Sequence, residues 1–170
     1  MDTARITAQA VPPRSKKSKA TPAELREHAL LLAHNNSFKV RQELYQAGNA
    51  QVWLKERIVI CSPIRSALTY FIVLHELGHV LNDRSKKADT ELWSEFEAWQ
   101  WAIDRALIHP PDPIKRRIGG YLKTYHDKHS DLAKRLRMDV RFPPKGTLYW
   151  KMLDWAENPP GREQGVRRLP

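Results

Sequence analysis

Two histidines with a glutamate between them, in His75-Glu76-Leu77-Gly78-His79, are the residues of this chain whose types and spacing could do chemistry. On a helix, that spacing puts both imidazoles on one face, one turn apart, where they can share a metal ion. Glu76 leans to the side of that face and can take a proton from water without ligating the ion itself. Zinc suits such a set, because it brings the pKa of a bound water to about 7 and keeps one position open for water or substrate. One further protein ligand must come from elsewhere in the chain.

The residues after the motif exclude the metzincin class, which needs a glycine and a histidine where this chain has Asn82 and Ser85. The next acidic segment supplies the alternative. Leu92, Phe96, Trp99, Ile103 and Ala106 recur at spacings of four and three, which predicts a helix with one apolar stripe facing the core. Glu95 lies one turn from both Leu92 and Trp99 and is the predicted third ligand. Glu97 stands about 200° away from it around the helix, so the two are not expected to face inward together. Glu97 is the main alternative to Glu95, and Glu91, near the helix start after Asp89 and Thr90, is the next. Tyr70, His109, Tyr121, His126 and His129 are other polar groups that could approach the site, and none is assigned a catalytic role.

Several elements must position these residues. A glycine inside the motif helix costs about 0.5–1 kcal/mol relative to alanine, so Gly78 predicts a close approach by the second helix with its bulky Trp93 or Trp99. Thr21, Pro22 and Glu24 form a helix-start pattern of cap, first-turn proline and capping-box acid, predicting a helix to about residue 34. A second helix is predicted over 40–46, ending at Gly48, and one or two short strands over 52–60, where a substrate could add as an extended strand. Residues 62–66 turn the chain into the motif helix. After the break at Pro110, Pro111 and Pro113, helix is predicted over 114–125 and 130–137, interrupted at Gly119 and Gly120. Tyr149, Trp150, Met152, Leu153 and Trp155 predict a core-packing helix. The expected fold is α+β, a mostly helical zincin-like domain with a small β-sheet beside the motif helix. Its expected divisions are a disordered basic segment over 1–20, a metallopeptidase core over 21–110, a basic helical part over 111–158 packed on that core, and a flexible tail over 159–170.

The 170 residues fit one domain, and no apolar run approaches the roughly 18 residues of a membrane span. Residues 1–20 lack the apolar centre of a signal peptide, which with the single Cys61 predicts a cytoplasmic protein. The net charge of +10 is uneven: 1–20 carry five basic and one acidic residue, 21–110 ten and eleven, and 111–170 fourteen and seven. The basic ends could therefore meet nucleic acid or an acidic partner, while the core stays near neutral.

Glu95-Phe96-Glu97-Ala98-Trp99-Gln100-Trp101-Ala102, following the His75-to-His79 motif, resembles the second-helix stretch of the ImmA/IrrE-type zinc metallopeptidases, with Trp99 where that family has asparagine. The resemblance covers about residues 44–110 and includes 51–60, which look like the family's strands leading into the motif helix. It implies one zinc per chain held by His75, His79 and Glu95, with Glu76 activating water. It also implies an intracellular metalloendopeptidase of phage or mobile-element context whose substrate is a regulatory protein such as a DNA-binding repressor. The competing expectation is an inactive zinc-stabilised protein that binds and inhibits a nucleic-acid-associated partner.

Overall fold

The computed structural model describes residues 16, 17, 19–43, 50–137, 139 and 141–158. The predicted disordered segment and tail fall mostly outside these residues. The fold is α+β and mostly helical, with one small mixed sheet.

Helix α1 (Pro22–Asn35) starts as the sequence predicts, with the Thr21 side chain accepting from the Glu24 amide and the Glu24 carboxylate accepting from the Thr21 amide. Its Leu25, Ala29 and Ala33 are buried in the core. The predicted helix over 40–46 is corrected where it is described: β1 (Lys39–Gln42) is a strand. It pairs in parallel with β3 (Ile58–Cys61), and β2 (Ala50–Trp53) pairs antiparallel on the other side. Local propensity lost to the ladder, because β3 offered a row of partners from Lys39↔Ile58 to Gln42↔Cys61. β3 is the central strand, with Val59, Ile60 and Cys61 buried. Of the segment expected to receive a substrate strand, only its β2 part, Val52 and Trp53, lies at a sheet edge.

Helix α2 (Ala67–Leu81) carries the motif, and Ser66 caps it by accepting from the Thr69 amide at 3.3 Å. Tyr70 through Leu74 and Leu77 are buried, so the helix runs through the core with the sheet on one side and other helices around it. A short turn, α3 (Asp83–Lys86), leads to α4 (Glu91–Arg105), whose cap is Thr90. The predicted stripe of Leu92, Phe96, Trp99, Ile103 and Ala106 is buried throughout. A β-carbon on Gly78 would lie 2.6 Å from the Ala98 carbonyl oxygen, so the glycine lets the two helix backbones touch. The close approach is as predicted, and the neighbour is the Ala98 backbone in place of a tryptophan.

Helix α5 (Asp112–Leu136) is one continuous element, which corrects the predicted interruption. Gly119 stays helical because α6 (Leu148–Glu157) crosses there, and a β-carbon would meet the Met152 carbonyl oxygen at 2.4 Å. Tyr149 and Met152 of α6 are fully buried, as their pattern predicts. Among the described residues no helix is long and apolar enough to cross a membrane.

Candidate metal centre

His75 and His79 project from the middle of α2 toward α4, where Glu95 meets them. Glu95 Oε2 lies 3.2 Å from His75 Nε2 and Oε1 lies 3.3 Å from His79 Nε2, while the two Nε2 atoms are 3.1 Å apart. A four-coordinate zinc with bonds of about 2.0–2.1 Å needs donor atoms about 3.3 Å from one another; here each imidazole meets its own Glu95 oxygen, and one donor atom from each of the three residues lies within 4.8 Å of the others, close enough to converge on one ion. Two imidazoles and a carboxylate also match the donor set of catalytic zinc sites. The residues therefore fit the ion that the sequence implies. Among the described residues this is the group of His, Cys, Asp and Glu side chains gathered closely enough to hold a metal.

The surroundings hold each ring in place. His79 Nδ1 is 3.2 Å from Ser85 Oγ, and that hydroxyl donates its one proton to the Ser94 carbonyl oxygen at 2.9 Å. The Ser94 hydroxyl lies 3.3 Å from the same nitrogen, so the two serines hold the Nδ1 edge of the ring and turn its Nε2 edge to Glu95 and His75. Ser85 thus occupies the position whose identity excluded the metzincin pattern, and it orients a ligand without being one. His75 is held differently: its ring stacks on Trp99 at 4.0 Å and 20°, and Trp99 stacks on Tyr121 of α5 at 6.2 Å and 8°. His75 Nδ1 and Trp99 Nε1 are buried with no hydrogen-bond partner among the described residues.

Electrostatics follow from burial. Desolvation lowers His75 from its ordinary 6.5, with the Glu95 hydrogen bond and charge opposing and His79 adding to the fall. Burial raises the Glu76 carboxyl to about 7, with His79 pulling it down and Glu95 pushing it further up. Burial also acts to raise Glu95, but hydrogen bonds from His75 and His79 and their charge overcome it and leave it at about 2. A wholly buried, neutral His75 cannot lend a full positive charge, so the ionised state of Glu95 rests on hydrogen-bond donation more than on an ion pair.

The alternative acids are elsewhere. Glu97 is buried too, contrary to the expectation that only Glu95 would face inward, but it turns to the far end of α2, where its Oε2 accepts from Asn82 Nδ2 at 3.4 Å. Helix α4 has neighbours on both sides, α2 with α3 and then α5, which is why two carboxylates about 200° apart can both be covered. Glu91 is exposed and pairs with Lys128 at 2.6 Å.

Of the other polar groups, Tyr70 bonds His28 and the Leu107 amide, and His126 Nδ1 lies 2.6 Å from the Tyr149 hydroxyl. His109 is exposed, and Tyr121 reaches the centre only through Trp99. Sequence reasoning missed Tyr125. It is half-buried on α5, and its phenol is raised by burial first and then by the nearby Glu95, Glu91 and Glu76 carboxylates. The α5 sequence alone gave no sign of this, since only the packing of α5 on α4 brings Tyr125 to Glu95. Comparison with family models, curated proteins and solved structures finds no match to this chain.

Proposed function

We propose that this chain is a zinc-dependent metalloendopeptidase that works in the cytoplasm on a regulatory protein, such as a DNA-binding repressor. The observation that carries the reading is the gathering of His75, His79 and Glu95 with one donor atom from each within 4.8 Å of the others, and with a proton acceptor, Glu76, on the motif helix. Zinc held there would supply Lewis acidity that polarises a peptide carbonyl and activates water at neutral pH. His75 and His79 would hold the ion through Nε2 and Glu95 through its carboxylate, with Ser85 and Ser94 steadying the His79 ring. Glu76 takes the proton of the attacking water and returns it to the departing amine, a task suited to a carboxyl raised to about 7. Tyr125, whose phenol is raised by burial and by the charge of Glu95, is the residue we assign to donate to the carbonyl oxygen as negative charge builds there. The resemblance of 44–110 to the ImmA/IrrE-type enzymes supports the same reading and is the ground for a repressor as substrate.

Charge favours a second reading, in which the +10 chain binds a nucleic-acid-associated partner without cutting it. Glu76→Gln separates the two. Zinc-loaded wild type should cleave a captured partner, while the variant keeps its zinc, binds the partner and leaves it whole. A variant as effective in cells as the wild type would establish the second reading and sink the first.

A further inference from the structure

Beside the metal centre, a cavity of about 590 Å³ lies between the first turns of α4 and the C-terminal half of α5. Its α5 wall is one helical stripe, Tyr125, Lys128, His129, Leu132, Ala133 and Leu136, at spacings of three, one, three, one and three. Tyr125 and Glu91 line one end, and Glu91 stands one helical turn before Glu95 on α4, so the cavity begins beside the candidate metal centre. The far end is apolar and open: Leu132 is 46 % exposed and Leu136 57 %, facing Trp93 and Leu92 of α4. From Tyr125 to Leu136 the stripe covers about 16 Å at 1.5 Å per residue, the reach of about five extended residues. The remaining rim groups carry both signs, with the Glu91–Lys128 pair already closed at 2.6 Å, so the walls select shape and apolarity over net charge.

We propose that this groove is the side-chain subsite of the enzyme. It would receive large apolar residues, of the leucine or phenylalanine kind, from the stretch of an extended substrate on one side of the scissile bond. The inference rests on the metallopeptidase reading above and deepens it. Two exposed leucines at one helix spacing cost solubility and contribute little to the core, whereas their burial against a bound side chain removes that surface from water.

The test uses the zinc-loaded full chain and two series of peptidyl hydroxamates, with the variable side chain on one or the other side of the chelating group. Each series compares hydrogen, isobutyl, benzyl and carboxymethyl substituents by calorimetry. In one series isobutyl and benzyl compounds should bind about ten- to one-hundredfold more tightly than the unsubstituted one, and carboxymethyl should not. Leu132→Asp and Leu136→Asp, both at exposed positions, should bring that gain to within about threefold while zinc content and the affinity of the unsubstituted compound stay as they were. Equal binding of all substituents, or a gain that survives both substitutions, would overturn the groove and leave the metal centre standing. A chain that holds zinc yet binds no hydroxamate would overturn both.

Discussion

At the scale of single residues, Glu95 and Glu97 show how two acids a residue apart can do different work. Only Glu95 has its oxygens at both imidazoles, so Glu95→Ala should lower zinc affinity by more than about 100-fold, and Glu97→Ala should keep it. Ser85→Ala, which frees His79 to turn, should fall between them at about 10-fold, with equilibrium dialysis against zinc as the measurement. The titrating residues predict a pH effect with opposing signs. His75 has a folded pKa below 6.5, so the unfolded chain takes the proton first and stability is lost as pH falls below 6.5. Glu76, raised from 4.5 to about 7, acts the other way: its contribution is full below 4.5 and is lost as pH rises through about 7. Zinc-free wild type should therefore change less in melting temperature between pH 5 and pH 7 than a chain lacking either one of the two groups. Glu76→Gln should expose the loss in acid, and His75→Gln should reverse it into a gain. Parallel curves for all three chains would refute the assignment.

At the scale of elements, neighbouring glycines make the argument. Gly78 and Gly119 sit where another helix's backbone passes within 2.6 Å and 2.4 Å of an added β-carbon, and Gly120 has nothing within 4 Å. Gly78→Ala and Gly119→Ala should each destabilise by about 1–3 kcal/mol, because backbone must shift to make room. Gly120→Ala should stabilise by about 0.5–1 kcal/mol, since it adds helix propensity without a clash. Urea denaturation of the three variants gives the comparison, and equal effects at Gly119 and Gly120 would deny the packing of α6 on α5. Gly78→Ala should also weaken zinc binding, because it separates α2 from the helix that carries Glu95.

At the scale of the whole molecule, the centre joins α2 to α4 across the turn that holds α3, so an ion bound there acts as a crosslink between the two helices. Zinc held at about 100 times its dissociation constant should add about 2.7 kcal/mol to stability. For a domain of this size that is about 5–10 °C in melting temperature, reversed by a chelator. An unchanged melt on zinc addition would mean that the three donors do not take the ion.

The sequence by itself determined which side chains share a face on α2. The spacing of His75 and His79 becomes a shared face as soon as the segment is helical, and helical phase, a local property, places Glu95 at the edge of the stripe around Trp99, although it did not foretell that Glu97 would be buried as well. It also determined the cap at Thr21 and the helix start after Thr90, where each threonine hydroxyl accepts from the backbone amide three residues on. The strand at Lys39–Gln42 was not legible, because a four-residue segment takes its conformation from the partner strand and not from its own preference. The unbroken α5 was not legible either, since a pair of glycines reads as a break until α6 is seen crossing at one of them. Tertiary structure alone decided that Tyr125 and the apolar stripe beyond it would stand next to Glu95. Contacts between α4 and α5 join residues some thirty positions apart, and no periodicity within either helix specifies how the two are set against each other.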